Sequence, residues 1–287
     1  QYLLDVARYW IEQGTDGWRL DVPNEINDDV FWHTFRQTVK SINSEAYLLG
    51  EIWDGSPHWV GEEMFDGLMH YPFREMVFDF LRGNINAAGY LDKADSWIKT
   101  YRPENTYGMY LPLGTHDTAR LLTELGGDVA KTRLAFLLQF TFLGTPAIYY
   151  GDEIGLEGGK DPDCRRAFPW EPVYWKDDLR KWVQSLVSLR KNLPELRRGT
   201  FNRIPVQSPA PQSVAYARIL DGEASLVLAN PGKIGEKLQL AVNPLGWAAG
   251  CTVQNLLGVE DYTVTDGVLE LELPACSGLL LKPARNY

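Results

Sequence analysis

The chain has 287 residues, 45% hydrophobic and 23% charged, which suits a soluble globular protein with room for a catalytic domain and a smaller one. Disordered and collagen-like classes are excluded. A formal net charge of -10 leaves no basic patch to neutralise phosphates, so no nucleic acid and no acidic membrane partner is expected. A neutral ligand fits better, and ten Trp and fourteen Tyr supply flat rings that can stack on sugar faces as well as fill a core.

In chain order, Tyr2, Leu3, Val6, Ala7, Trp10 and Ile11 recur at helical spacing up to Gly14, so the chain opens inside an amphipathic helix that needs something to pack against. Residues 16–21 read as a short strand, 29–42 as a helix, and the apolar run 46–52 as a second strand. Further strands are predicted at 65–69, 109–113 and 147–150, separated by helical stretches such as 74–81 and 129–142. Such alternation implies a parallel sheet covered by helices. These five strands precede a closing helix at 182–193 and are too few to close a barrel. From about Gly199 the pattern changes to short alternating runs punctuated by Gly and Pro, at 213–219, 224–228 and 268–273. An all-β sandwich is expected there. The predicted division is therefore 1–198 and 199–287.

Three charged motifs follow predicted strands. In Gly17-Trp18-Arg19-Leu20-Asp21 the period of two sends Arg19 and Asp21 to one side, either as an ion pair that helps close the sheet or as a cation that keeps a nucleophilic carboxylate ionised. Glu51 ends the run Leu48-Leu49-Gly50-Glu51, where an unpaired charge costs several kcal/mol; it is expected to be salt-bridged or raised in pKa, as a general acid needs. Thr115-His116-Asp117 follows the fourth strand, where a lone His-Asp step also suits a helix cap. Recurrence favours chemistry. Carboxylates at the carboxyl ends of different parallel strands converge on one cleft if those strands share a barrel. Two of them flanking a glycosidic bond at ~5–5.5 Å would act as nucleophile and acid/base, with a third stabilising developing positive charge.

With these motifs in this order, the chain resembles the α-amylase family of glycoside hydrolases over essentially its whole length. The segments that carry the likeness are 17–25, Gly50-Glu51-Ile52-Trp53 and Thr115-His116-Asp117. The resemblance implies Asp21 as nucleophile, Glu51 as general acid/base and Asp117 as transition-state stabiliser, with Arg19 and His116 supporting the central sugar. Asn24, Glu25, Trp53 and the loop 158–165 look most like the neopullulanase, cyclomaltodextrinase and maltogenic amylase group. That likeness implies Asn24, Glu25 and Trp53 near the leaving-group sugars, with Asp161 and Arg165 on the non-reducing side. A loop salt bridge for Asp161 and Arg165, and core filling for Trp53, are the plainer alternatives. The substrates implied are α-1,4 or α-1,6 linked glucans: cyclodextrins, pullulan, starch or maltooligosaccharides.

The chain also departs from the family pattern. Thr115 stands where the family usually has Asn, and Pro23 where the group often has Ala. The family's first signature and its first three strands have no counterpart. The expected fold is thus α/β: strands four to eight of a (β/α)8 TIM barrel followed by an all-β sandwich, a C-terminal portion. An incomplete barrel leaves two sheet edges unpaired, so a separate N-terminal segment or another chain is expected to complete it. The alternative is a catalytically incomplete sugar-binding fragment.

Other chemistry is weakly signalled. Cys164, Cys251 and Cys276 are few and far apart, so the fold is expected not to rest on disulfides, although Cys251 and Cys276 could pair. With His only at 33, 58, 70 and 116, no His-x-x-x-His and no Cys-x-x-Cys, no metal site is assigned. No cofactor is expected to be required; calcium, which parts of the family bind, belongs to the upstream part. Gly158-Gly159-Lys160 lacks the spacing of a phosphate loop. No stretch reaches the roughly 20 apolar residues of a membrane span. Any export signal would lie upstream, and a cytoplasmic location is expected.

Overall fold

The structure, a computed structural model, describes residues 1–208 and 211–284. Helix α1 (Tyr2–Glu12) buries Ala7 and Ile11 and leads through Gly14, at φ +98°, into strand β1 (Gly17–Leu20). Helix α2 (Asp29–Ile42) starts where the Asp28 carboxylate accepts the Phe31 N–H at 3.0 Å, and it buries Trp32, Phe35 and Val39 at helical spacing. Strands β2 (Tyr47–Gly50) and β3 (Gly67–Leu68) follow, joined by a loop with a single short helical turn at Pro57–Trp59. Helix α3 (Tyr71–Arg82) is capped by His70, whose Nδ1 accepts the Phe73 N–H, and ends at left-handed Gly83. Then come α4 (Ala87–Thr100), α5 (Pro103–Gly108), β4 (Tyr110–Pro112), α6 (Leu121–Glu124), α7 (Val129–Thr141) and β5 (Thr145–Ala147).

All of these strands run parallel. β1 pairs with β2, β2 with β3 and β4 with β5, and a Met69–Tyr110 bridge joins the two sets in chain order. Leu48, Leu68 and Leu111 point outward into the main core with Phe73 and Leu138, while Leu49 and Met69 point inward beside Tyr47, Tyr71 and Tyr110. The period of two thus separates a packed outer face from an inner face that carries Arg19. β1 and β5 are the sheet's ends. Large apolar side chains lie exposed beside each: Tyr2, Leu3 and Trp10 on α1, and Ile148, Tyr150, Trp170 and Tyr174 after β5.

Helix α8 (Asp177–Asn192) and short α9 (Pro194–Arg198) close this part. The strands β6 (Thr200–Arg203), β7 (Val206–Gln207), β8 (Val214–Leu220), β9 (Glu223–Asn230), β10 (Glu236–Ala241), β11 (Thr252–Asn255), β12 (Asp261–Thr265), β13 (Val268–Leu273) and β14 (Ser277–Pro283) complete the chain. They form one antiparallel sheet in the order β6-β8-β9-β14-β11-β12-β13-β10-β7, wrapped round a core of Leu226, Leu228, Leu240, Val253 and Leu269. The other face of β8 and β9 joins the main core through Val214, Tyr216 and Val227.

Two buried arginines lock this junction. Arg218 Nη1 donates to the carbonyls of Thr141, Phe142 and Leu196 at 2.6, 2.9 and 3.0 Å, and its Nη2 to Gly199 at 2.8 Å. Arg190 donates to the carbonyls of Phe140, Phe142, Leu196 and Gly144. Burial lowers the Arg190 guanidinium to about 9 and that of Arg218 to about 10. Nearby, Lys282 pairs with Glu195 at 2.5 Å, and Ser225 donates to the same carboxylate at 2.7 Å.

Several predicted boundaries shift. The fifth strand is Thr145–Ala147, earlier than 147–150, because Tyr149 and Tyr150 leave the sheet to stack on the Arg120 guanidinium at 4.5 and 4.6 Å. The closing helix begins at Asp177, where Asp177 and Asp178 suit a helix N-terminus. All three cysteines are free. Among the described residues no helix is long and apolar enough to cross a membrane, and no cluster of three or more His, Cys, Asp or Glu side chains could hold a metal ion.

Candidate active site

Asp21, Glu51, Thr115 and Ile148 each lie just past the carboxyl end of a parallel strand, so their loops open on the same side of the sheet. Arg19 organises the first two. Its Nη1 lies 2.5 Å from Asp21 Oδ1, and its Nη2 lies 2.7 Å from Glu51 Oε1. One planar fork therefore holds both carboxyls, as the shared face of β1 requires. The hydrogen bond and charge of Arg19 lower the Asp21 pKa. Asp21 is exposed and Glu51 buried, with side-chain exposures of 74% and 3%. Of the two readings open for Glu51, the salt bridge is the one the geometry contains.

Val22, next to Asp21, has φ +32° and ψ +56°, a left-handed conformation that is a genuine outlier for a β-branched residue. Pro23 follows and disfavours the ordinary helical alternative. The turn displaying Asp21 is thereby strained by roughly 1–3 kcal/mol. Asn24 and Glu25 lie exposed on the short turn Pro23–Glu25 beyond it. No side-chain hydrogen bond ties either of them to the carboxylates among the described residues.

Trp53 is half exposed and stacks on Tyr71, with ring centroids 3.9 Å apart and planes 4° from parallel, so it is not core filling. Tyr71 was not singled out from the sequence. Its hydroxyl donates to Glu51 Oε1 at 3.2 Å, and burial raises its pKa. The available signal was its place just after an inward-facing strand, but a tyrosine opening a helix looks like a packing residue.

Asp117 is placed by a tight turn in which Thr115 Oγ1 accepts the Asp117 N–H at 3.2 Å and Thr118 Oγ1 accepts the Thr115 N–H at 3.0 Å. Thr115, the departure from the family pattern, thus shapes the loop. His116 Nε2 lies 3.1 Å from Asp117 Oδ2. Arg165 donates through Nη2 to Asp117 at 3.0 Å and through Nε to the His116 carbonyl at 2.9 Å, and the same Nε lies 2.9 Å from Asp161 Oδ1. The loop ion pair between Asp161 and Arg165 is therefore present, and it also reaches Asp117. A hollow of about 260 Å³ opens between Arg19, Leu49, Tyr110, Thr115, His116 and Tyr149. A larger cleft of about 590 Å³ lies away from these groups on the β domain, lined by Lys237, Gln239, Glu270 and Glu272.

The sequence profile of the alpha-amylase catalytic domain matches residues 1–200. A cyclomaltodextrinase of Bacillus sp. is 43% identical over 83% of the chain and 43% of its own length. Neopullulanase 2 of Thermoactinomyces vulgaris is 40% identical over 98% of the chain and 47% of its own length. The chain thus spans about half the length of these curated relatives. The solved debranching enzyme of Nostoc punctiforme superposes with a TM-score of 0.90 at 36% identity, covering 98% of this chain and 61% of that one. A profile match over residues 1–200 and relatives of this identity over nearly the whole sequence place the chain in the alpha-amylase family of glycoside hydrolases, beside its cyclomaltodextrinases and neopullulanases.

Proposed function

We propose that this chain carries the catalytic half of a retaining α-glucan hydrolase. Its substrates would be α-1,4 linked, and in part α-1,6 linked, glucose chains in cyclodextrins, pullulan, starch or maltooligosaccharides. The observation that carries this reading is the Arg19 fork holding Asp21 and Glu51 together. Two carboxyls held on one guanidinium suit the ~5–5.5 Å spacing of double displacement better than the ~6.5–9.5 Å that leaves room for an inverting water.

In the proposed mechanism Glu51 protonates the glycosidic oxygen while Asp21 attacks the anomeric carbon, giving a covalent glycosyl-enzyme. Glu51 then takes a proton from water, which displaces Asp21. Arg19 keeps Asp21 ionised for attack. Tyr71 orients Glu51. Asp117 faces the developing positive charge, and His116 donates to sugar hydroxyls. The exposed face of the Trp53–Tyr71 stack suits an acceptor sugar beside Asn24 and Glu25, while Asp161 and Arg165 border the opposite end.

The same reading takes residues 1–198 as strands four to eight of the eight-stranded barrel and 199–287 as the trailing β domain; residues 209, 210 and 285–287 lie outside the described ones. A polypeptide covering β1 and β5, together with the exposed side chains beside them, would complete the barrel. Those open edges are also what favours the second reading, a sugar-binding part that turns over only once completed. The test is hydrolysis of cyclodextrin and pullulan by the chain against Asp21→Asn. Turnover lost by roughly four orders of magnitude in the variant supports the first reading. Binding without turnover in both supports the second, and neither binding nor turnover sinks both.

A further inference from the structure

Arg120 and Asp152 are buried, with exposures of 0% and 2%, and the proposed mechanism gives neither a role. Asp152 Oδ1 is 3.4 Å from Arg120 Nη1. Its Oδ2 packs so closely under Gly114 that a Cβ there would come within 2.1 Å. Arg120 donates its backbone N–H to the Gly158 carbonyl at 3.0 Å and its side chain to the Tyr150 carbonyl, with its guanidinium between the Tyr149 and Tyr150 rings. Gly114 opens the loop that carries His116 and Asp117. Tyr150, Asp152 and Gly158 belong to the loop that carries Asp161 and Arg165.

We propose that Arg120 and Asp152 are positioning residues that fix the Asp117 loop against the Arg165 loop. This rests on the glucan-hydrolase reading only for its catalytic consequence. The two loops also meet at the front, where Arg165 reaches Asp117 and the His116 carbonyl, but that side chain is 45% exposed and screened by solvent. The buried pair is the stiffer connection. A pair kept for stability alone is readily exchanged for apolar residues, and the junction arginine Arg218 shows what full satisfaction looks like. Here Arg120 Nε and Nη2 and Asp152 Oδ2 have no hydrogen-bond partner among the described residues. Burial pushes the Asp152 carboxyl up to about 7. Polar atoms left unsatisfied in this way mark sites where geometry is kept at the expense of stability.

Cys164 is a built-in reporter: it is buried between the loops with Sγ 3.1 Å from the His116 carbonyl. With Cys251→Ser and Cys276→Ser in the background, its labelling by a maleimide measures how often the loops part. Asp152→Asn and Arg120→Met are expected to speed labelling about tenfold or more under conditions where the rest stays folded. Arg218→Met, which weakens the distant junction, is expected to leave it unchanged. Equal acceleration in Arg218→Met at matched stability, or none in the two loop variants, overturns the proposal. On maltotriose, kcat should fall about tenfold with KM within about threefold, since Asp117 would act on the transition state. If the unsubstituted chain neither binds nor cleaves maltotriose, the hydrolase reading fails, and labelling still decides the role of the pair.

Discussion

Arg218 at the domain junction and Arg19 at the candidate site are both cations set among oxygens, yet they do opposite work. Arg218 is fully buried and bonds only backbone carbonyls, which cannot titrate or move away, so it acts as a fastener. Arg19 is one-third exposed and bonds two carboxyls, whose charge and orientation it sets. A buried cation on carbonyls shapes the fold; a half-open cation on carboxylates shapes reactivity.

Substitution can sharpen or break this contrast. The largest effect is expected from Arg218→Met, which strips charge-assisted hydrogen bonds from buried carbonyls and should cost about 4 kcal/mol of stability. Denaturant unfolding measures it, with turnover per folded molecule unchanged. Arg19→Met should lower kcat about a hundredfold, near 2.7 kcal/mol, and, since the buried Glu51 loses its partner but can take up a proton, should lower stability by less than Arg218→Met does. A larger loss of stability at position 19 than at 218 would erase the distinction. The smallest effect is expected from Tyr71→Phe, which removes one hydrogen bond to Glu51 while keeping the ring under Trp53. A loss of about 1 kcal/mol, seen as a fivefold lower kcat and a displaced basic limb of the pH profile, is the expected outcome.

Why some of this was legible in the sequence follows from the same contrast. Periodicity exposes what repeats: the outward Leu48 and Leu68, the inward Arg19 and Asp21, and the helix over 29–42 follow from alternation and spacing. The pairing of Asp21 and Glu51 on Arg19 was visible because both carboxyls stand directly after apolar strands. Arg218, Arg190 and Tyr71 were hidden because their partners are backbone carbonyls or residues distant in the chain, which leave no local pattern. Arg120 was hidden for another reason. Its ring contacts at Tyr149 and Tyr150 shorten the very strand that the apolar run seemed to extend. The helix α4 carries mixed polarity and announces itself only through its Asn86 cap.

The left-handed Val22 has an evolutionary implication. A screen for heat resistance alone would be drawn to position 22, since glycine or asparagine adopts that conformation more readily. The same exchange would loosen the tether that presents Asp21. Survivors of such a screen would trade catalytic speed for endurance at a residue whose side chain carries no reactive group.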